Sequence, residues 1–302
     1  MRAGISIIFL LISITVFSQE DALKVFFCKG DIHFKREWQE EWLELSLLDL
    51  KLKNHDSLAL GNESVLYLLD NESRLFYLSH PGKFQIIALI NSIESQGGSS
   101  LFSRYSCFLW DELNKPHKDI EKYSRRYLAD KGGVSRAPNI PHVICPFYGS
   151  FILADQIDFS WGNCRANEYT LSFWDSYDNG DNLFTVTIAD TAFSISTKQK
   201  WMPVNKVFYW AITVNRKPAS VFIPIKVLDV ESRNEIHKDI KAIKEETHAS
   251  DEVGLLIIAA FYESHNLYHL ANDSYLEAIR LNPENQHVKE YYHLFMARMG
   301  DF

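Results

Sequence analysis

The sequence predicts a multidomain chain that is mainly β with some α: a small β-barrel or sandwich, an immunoglobulin-like β-sandwich and C-terminal helical hairpins. Over residues 19–95, short apolar alternations are separated by turn signals roughly every eight to ten residues, which is typical of short strands. Over residues 137–230, about seven longer runs repeat with a period of two. Beyond residue 230 the apolar period changes to about 3.6, which predicts helices. The 302 residues suffice for several hydrophobic cores.

The composition indicates a folded chain whose partner is not nucleic acid. Hydrophobic residues make up 46% of the sequence and charged residues 23%, which excludes a disordered or low-complexity chain. The 39 acidic residues outnumber the 31 Lys and Arg residues and give a net charge of −8. The sequence has no extended basic stripe, so binding driven by neutralisation of phosphates is excluded as its main activity.

The N-terminus has the pattern of a signal peptide. Arg2 precedes an apolar run over residues 5–17, and Val16 and Ser18 supply the small side chains that signal peptidase needs. We therefore expect residues 1–18 to be removed and the mature chain to be exported to the periplasm or the cell surface. The apolar run of about 13 residues is shorter than the roughly 20 of a spanning helix, so we expect no stable membrane insertion. A retained membrane anchor is the alternative.

Export would permit disulfide bonds. The four cysteines allow three complete pairings, which the sequence does not separate. Cys145 and Cys164 flank the first predicted hairpin of one domain and form the favoured pair, with buried free thiols as the alternative. The spacing of the cysteines is too wide and irregular for a CxxC metal site.

Residues 19–95 are predicted to form the first domain from many short strands, which close most economically as a small barrel or sandwich. The segments KGDIHF, WLEL and HDSLALGNESVLYLLDNESRLFYL resemble the FecR-type sensor ectodomain and, more loosely, bacterial SH3-like barrels. The late hairpin departs from that family because Asn71 stands where Gly is usual, although asparagine also tolerates positive φ. The resemblance implies a sensing or interaction domain.

Residues 96–136 are expected to form a helical connector and linker. A Gly- and Ser-rich break precedes predicted helices over residues 101–114 and 119–129. Pro138 and Pro141 then favour extended backbone in the residues that precede them.

Residues 137–230 carry the segments IDFSW, YTLSFWD and VFYWAITV. These segments resemble the second, third and sixth strands of fibronectin type III and related immunoglobulin-like domains. The resemblance implies that Trp161 and Trp210 are core residues on facing sheets, with Phe208 and Ile212 on the same inward face as Trp210. Such a fold is a platform and does not specify a function.

Residues 231–302 predict helices only. Ala271, Tyr275 and Ala278 stand at the spacing of a tetratricopeptide repeat, in which small residues let paired helices approach closely. The segment ANDSYLEAIRLNPEN resembles that repeat family. Because stable solenoids generally need three or more repeats, one recognisable repeat implies a small helical bundle.

Three aromatic residues are candidates for a ligand or partner surface: Trp174, Tyr262 and Tyr275. Trp174 directly follows Phe173 in a predicted strand, so one of these two neighbours must face away from the sandwich core. An exposed tryptophan offers a large rigid apolar face to a sugar or a protein partner. The two tyrosines lie on the predicted tail helices, where a partner could also dock.

No catalytic, cofactor-binding or metal-binding residue is predicted. The acidic loop at 175–182 has the oxygen-rich composition of a calcium loop but lacks its bidentate glutamate, so a hairpin turn is favoured. His265 and His269 have a spacing compatible with zinc, without the Glu of HExxH. The sequence also lacks a GxSxG elbow, a Walker loop and a Rossmann glycine pattern.

These features together predict a non-enzymatic, exported binding or scaffold protein of the bacterial cell envelope that requires no cofactor. Its expected role is protein–protein interaction or envelope sensing, with envelope proteins as partners. A glycan-binding envelope protein that uses exposed tryptophans is the alternative. An envelope hydrolase is the third interpretation.

Overall fold

The computed structural model describes residues 21–45, 50–72, 74–93, 101–114, 141–177, 180–214, 217–218, 220, 222–246 and 252–299. Over these residues the protein has several β-sheets and a set of C-terminal helices, which confirms the predicted mixed class, mainly β with α. The predicted signal peptide (1–18) and the second predicted connector helix (119–129) lie outside the described residues.

The N-terminal β unit contains two antiparallel sheets with the strand orders β4-β1-β6-β7 and β3-β2-β5-β8. Its elements are β1 (Asp21–Lys29), β2 (Ile32–Lys35), β3 (Leu43–Glu44), β4 (Lys51–Lys53), β5 (Ser57–Leu60), β6 (Val65–Asp70), β7 (Leu75–Leu78), β8 (Gly82–Gln85) and the helix α1 (Ile86–Ile93).

Both sheets of this unit contribute alternate apolar side chains to one core, as the period of two requires. The core includes Leu23, Ile32, Leu58, Leu66 and Leu68. The sheets do not close into a barrel over the described residues, so the sandwich is the observed form of the two that were predicted.

Nine strands form the second β unit, which has the facing sheets of an immunoglobulin-like sandwich. One sheet has the order β14-β11-β9, and the other has the order β10-β17-β15-β12-β13 with β16 paired to β15. The strands are β9 (Val143–Cys145), β10 (Phe151–Ile152), β11 (Gln156–Trp161), β12 (Tyr169–Trp174), β13 (Asn182–Ile188), β14 (Ala192–Ser196), β15 (Val207–Val214), β16 (Lys217–Pro218) and β17 (Ile223–Val227).

The sandwich core confirms the predicted tryptophan pair. Trp161 on β11 and Trp210 on β15 belong to different sheets, and both are buried. The ring of Phe159 packs edge-on against Trp210, with 4.9 Å between centroids. Phe208 and Ile212 face inward with Trp210, as the alternation in VFYWAITV predicts.

The remaining helices form a bundle: α2 (Leu101–Asn114), α3 (Val230–Glu246), α4 (Glu252–Ser264), α5 (Tyr268–Leu281) and α6 (Gln286–Met299). The hairpin of α4 and α5 is closely packed because Ala271 and Ala278 are fully buried and bring little bulk between the helices. Helix α2 falls within the predicted connector segment, yet Tyr105 and Trp110 on α2 belong to the same core as the C-terminal helices.

The helical bundle contacts both β units. Phe26 and Phe27 of β1 join its core from the N-terminal unit, and Phe151 of β10 packs against it from the sandwich. The Tyr291 hydroxyl on α6 donates a hydrogen bond to the backbone carbonyl of Phe26 at 3.4 Å. The backbone N–H of Phe151 donates to the carbonyl of Asn266 at 2.7 Å. Apolar packing and hydrogen bonds therefore connect the bundle to both the N-terminal β unit and the sandwich.

The favoured disulfide between Cys145 and Cys164 is not formed, and all four cysteines are free thiols. Cys145 on β9 lies next to His269 of the helical bundle, whereas Cys164 lies next to the hydroxyl of Tyr169 within the sandwich. The two thiols thus have different neighbours. Among the described helices, none is both long enough and apolar enough to cross a membrane.

Candidate functional site

The outer surface of the six-stranded sheet of the sandwich carries a cluster of aromatic side chains. On β12, Phe173 points into the core, so its neighbour Trp174 points outward. On β15, Trp210 is paired with Phe173 and also points inward, which leaves Tyr209 on the outside, paired with Trp174. The period of two on both strands therefore places Trp174 and Tyr209 side by side on the surface.

Two residues from the adjoining loops complete this cluster. Phe222 precedes β17 and packs on Trp174, with ring centroids 4.7 Å apart. Tyr177 follows β12 and lies 5.6 Å from Phe222 and 5.9 Å from Tyr209 between centroids. We call Trp174, Tyr177, Tyr209 and Phe222 the aromatic face. Tyr177 is 66% exposed, so the face presents ring surface directly to solvent.

Polar groups lie at the edge of the aromatic face. Asp175 and Asp181 are exposed, and the Asp175 Oδ1 atom accepts the backbone N–H of Asp181 at 2.9 Å. The Asn182 amide donates a hydrogen bond to the carbonyl of Phe173 at 3.3 Å, which holds the start of β13 against β12. The aromatic face therefore has an acidic rim that is fixed by the loop it belongs to.

The structure does not bring the three predicted contact residues together. Trp174 lies on the aromatic face of the sandwich, whereas Tyr262 is a half-buried residue on α4 that packs against the bundle core. The prediction for Tyr275 is wrong because its side chain is fully buried. Tyr275 lies on the same face of α5 as Ala271 and Ala278, so it points into the bundle.

A buried ion network surrounds Tyr275. The Tyr275 hydroxyl donates to Glu263 Oε2 at 3.1 Å, and Arg298 donates to the two oxygens of Glu263 at 2.6 and 2.9 Å. The Arg298 Nη1 atom also lies 3.1 Å from Glu112 Oε2 on α2. Burial raises the pKa of Tyr275 well above its usual range. These groups join four helices and belong to the framework of the bundle.

Sequence reasoning did not identify Tyr209, Tyr177 and Phe222 as surface residues. For Tyr209 the signal was present, because the alternation that buries Phe208 and Trp210 requires Tyr209 to face outward. Tyr177 and Phe222 lie in loops, where no period predicts the direction of a side chain. Their approach to Trp174 is a product of the folded loops.

A second polar cluster lies in a cleft between the sandwich and the bundle. Cys145 Sγ is 3.8 Å from His269 Nδ1, and His269 Nε2 is 3.6 Å from Asp273 Oδ2. A cavity of about 120 Å³ opens beside this pair and is also lined by Asp158. A thiol, an imidazole and a carboxylate in this order would suit nucleophilic catalysis if the thiol were ionised.

The electrostatics of the cleft disfavour that ionisation. Burial, together with the nearby carboxylates of Asp158 and Asp273, raises the pKa of the Cys145 thiol to about 12. A catalytic cysteine instead needs an electropositive setting that lowers its pKa. The thiol is therefore protonated at neutral pH, and the hydrolase interpretation gains no support from this cluster.

The structure gives no support to a zinc site formed by His265 and His269 or to a calcium site in the loop at 175–182, the two metal sites that the sequence disfavours. His265 Nδ1 is hydrogen-bonded to the carbonyl of Phe261 at 2.8 Å, so this ring is engaged at the end of its own helix. Two residues of the loop at 175–182 lie outside the described part of the chain, and Asp175 accepts a backbone N–H within the turn. Across the described ranges, no group of three or more His, Cys, Asp or Glu side chains is arranged to hold a metal ion.

The chain was also compared with known proteins. No protein-family model matches the sequence, and no curated protein is significantly similar to it.

Proposed function

We propose that this chain is a non-enzymatic, exported binding or scaffold protein of the bacterial cell envelope, and that its partner docks on the aromatic face. The observation that carries the proposal is the contact of four aromatic rings, Trp174, Tyr177, Tyr209 and Phe222, on the outside of the six-stranded sheet. The resemblances of the three segments to FecR-type, fibronectin type III and tetratricopeptide modules support a binding role, since all three are interaction modules.

The aromatic face has the chemistry of a binding hot spot. Tyrosine and tryptophan bury a large rigid area at a low entropic cost and keep one polar atom for a hydrogen bond. Tyr177 exposes 66% of its surface, and this apolar area would gain stability on contact with a partner. Single exposed aromatic residues are common on protein surfaces and do not indicate a binding site. Four aromatic rings in contact on one surface are typical of an interaction site.

The acidic rim indicates the charge of the partner. Asp175 and Asp181 border the aromatic face, and the whole chain has a net charge of −8. Arginine side chains stack on aromatic rings and pair with carboxylates, so an arginine-bearing protein surface complements both features. The partner of this proposal is therefore an envelope protein that presents basic residues.

The bundle is a weaker candidate for the docking surface. Tyr275 is buried, and both β units already pack against the bundle core through Phe26, Phe27 and Phe151. The faces that a tetratricopeptide hairpin uses for packing are thus occupied within the chain. We therefore propose that the partner binds the sandwich and not the C-terminal helices.

A glycan is the second candidate ligand, because sugar rings also stack on exposed aromatic faces. The observation that favours it is the combination of the exposed Tyr177 ring with the exposed carboxylates of Asp175 and Asp181 at the rim. The two candidates differ in the ionic interaction, since a neutral glycan would bind equally well at high salt.

The test uses the double variant Tyr177→Ala/Tyr209→Ala as bait in a pull-down from envelope extract, beside the unmodified chain. We expect recovery of the partner to fall at least about tenfold, because hot-spot aromatic residues carry most of the binding energy. Trp38→Ala is the matched control, since Trp38 is 64% exposed but lies on the N-terminal unit. Equal recovery with the double variant would exclude the aromatic face. Retention only on envelope polysaccharide would favour the glycan.

A further inference from the structure

The described part of the chain contains two close pairs of a cysteine thiol and a histidine ring. Cys145 Sγ lies 3.8 Å from His269 Nδ1, and Cys28 Sγ lies 3.6 Å from His287 Nε2. Thiolate sulfur and imidazole nitrogen are the ligands preferred by Zn²⁺ and related soft cations. The two pairs have similar sulfur–nitrogen distances, so only their surroundings can indicate which pair binds a cation.

The donor atoms of Cys145 and His269 are at a distance that one metal ion can span. Zinc binds sulfur at about 2.3 Å and nitrogen at about 2.0 to 2.1 Å. With these bond lengths, a separation of 3.8 Å corresponds to a sulfur–metal–nitrogen angle of about 120°. This angle lies within the range of tetrahedral and trigonal coordination, so the sulfur–nitrogen separation itself fits a single bridging ion.

The surroundings of this pair favour a cation. The cavity of about 120 Å³ beside Cys145 and His269 is lined by Asp158, whose Oδ1 atom accepts hydrogen bonds from Gln156 and Ser194. Asp273 Oδ2 lies 3.6 Å from the far nitrogen of the His269 ring. Two carboxylates thus supply negative charge, and the His269 side chain is 48% exposed, so an ion can reach it from solvent.

The position of Asp273 matches a common feature of metal sites. A histidine that binds a metal through one ring nitrogen usually directs the other N–H towards a carboxylate, which orients the ring and raises its basicity. Here Nδ1 faces the thiol and Nε2 faces Asp273, one turn further along the same helix. The Nδ1 atom of the ring is therefore directed at Cys145, and its Nε2 atom is directed at a carboxylate.

We propose that Cys145 and His269 form an open binding site for a thiophilic divalent cation, represented by Zn²⁺. The cation displaces the thiol proton to solvent and binds Sγ and Nδ1, with water in the remaining positions and Asp158 as the neighbouring carboxylate. Such a two-residue site is consistent with the lack of a closed three-residue metal cluster in the described ranges. The proposal is independent of the aromatic face.

The pair of Cys28 and His287 provides an internal comparison. His287 on α6 is only 7% exposed and packs against β1, where its ring also contacts the Phe27 ring. Lys29, the residue after Cys28, pairs with Glu252 at 2.6 Å, so that carboxylate is already neutralised. A cation would have to enter this buried contact without compensating charge, so we expect no binding there.

The test is a titration of the full-length exported chain, reduced and without a polyhistidine tag, with Co²⁺ as a spectroscopic substitute for Zn²⁺. Coordination by a cysteine produces a thiolate-to-cobalt charge-transfer absorption band in the near ultraviolet. We expect this band in the unmodified chain and its loss on addition of Zn²⁺. Cys145→Ser should abolish the band, whereas Cys28→Ser should retain it.

His269→Gln provides a second variant that does not depend on the folding of Cys145→Ser, since the His269 side chain is half exposed. We expect it to weaken Co²⁺ binding at least about tenfold, because only one protein ligand remains. Absence of the band from the unmodified chain would show that the pair forms only a hydrogen bond. Its persistence in Cys145→Ser, or unchanged affinity in His269→Gln, would place the ion elsewhere. Each of these outcomes overturns the proposal.

Discussion

At the scale of single residues, the two buried indoles of the sandwich each carry an unpaired donor. The Nε1 atoms of Trp161 and Trp210 meet no hydrogen-bond acceptor in the described part of the chain. A buried donor without a partner costs stability, yet both rings are retained in the core. Their contribution must therefore come from the apolar area and volume that they fill.

This account makes a prediction for Trp161→Ala and Trp210→Ala. Each substitution should lower the free energy of unfolding by about 3 to 5 kcal/mol, because a large cavity replaces the ring. Trp210→Phe should cost markedly less, since phenylalanine fills part of the volume and removes the unpaired N–H. Urea unfolding of the full chain measures these values. If Trp210→Ala unfolds at the urea concentration of the unmodified chain, the assigned strand register is wrong.

His287 makes the contact between the N-terminal unit and the bundle sensitive to pH. Burial lowers the pKa of this imidazole from about 6.5 to about 4. The unfolded chain therefore binds more protons than the folded chain between these two values. The stability contributed by neutral His287 is fully present above about pH 6.5 and is lost as the pH falls towards 4.

We predict that protonation of His287 removes about 3 kcal/mol of stability over this window, because one pKa unit corresponds to about 1.4 kcal/mol. The free energy of unfolding, measured in urea at pH 7 and pH 4.5, should fall more in the unmodified chain than in His287→Gln. Carboxylates that titrate in the same range affect both proteins alike. The same decrease in both would show that His287 ionises freely.

At the scale of elements, the hairpin of α4 and α5 depends on small side chains. Ala271 and Ala278 are fully buried on α5, whereas the Glu277 side chain is 43% exposed and pairs with Arg280 at 2.5 Å. This distribution follows from the helical period of about 3.6 residues, which separates neighbouring residues onto different faces. The packing of the helices therefore tolerates change at 277 but not at 271.

Replacing Ala271 with Leu should force α4 and α5 apart and lower the free energy of unfolding by about 1 to 3 kcal/mol. Glu277→Ala is the matched control on the same helix. It should change stability by less than about 0.5 kcal/mol, because it removes only a surface ion pair. The measurement is the melting temperature of both variants by thermal unfolding. Equal melting temperatures would contradict the close approach of α4 and α5.

The elements also show how much of the structure the sequence could predict. The period of two along β12 and β15 is local information, and it correctly predicts that Trp210 faces inward and that Phe173 and Trp174 face opposite ways. The helical period of α5 would equally have predicted the burial of Tyr275 beside Ala278. The position of Tyr275 on the buried face of the helix, and not its residue type, determines its exposure.

The candidate sites depend on contacts that no local pattern encodes. Cys145 and His269 are 124 positions apart, and they meet because α5 packs against the sandwich. Phe222 reaches Trp174 through a loop conformation, and its sequence neighbourhood has no signal for that contact. Sequence periodicity predicts which side chains of a helix or strand point towards the core. It does not predict which residues they contact there, because those contacts depend on how the elements pack.

At the scale of the whole molecule, the helical bundle is a common support for the two β units. It forms ion pairs and hydrogen bonds with both units. Its core includes Phe26 and Phe27 of the N-terminal unit, and Phe151 of the sandwich packs against that core. The Asp155 carboxylate in the sandwich also pairs with Arg233 of α3 at 2.8 Å. The units are therefore not independent modules joined only by linkers.

Deletion of residues 231–302 should accordingly destabilise both β units. Exposure of Phe26, Phe27 and Phe151 would remove about 2 kcal/mol of burial free energy for each ring. We expect the truncated chain to melt at a lower temperature and to aggregate in size-exclusion chromatography. A truncated chain that is monodisperse and melts like the full-length protein would show that the β units fold independently of the bundle.

The central claim is that the partner contacts the aromatic face, and site-specific photo-crosslinking in intact envelopes tests it most directly. A photoreactive phenylalanine analogue replaces either Tyr177, which is 66% exposed on the aromatic face, or Trp38, which is 64% exposed on the N-terminal unit. We predict that irradiation yields a protein adduct from position 177, that the adduct decreases at high salt, and that position 38 gives none. Adduct formation only from position 38, or equally from both positions, would contradict the assignment of the aromatic face as the binding surface.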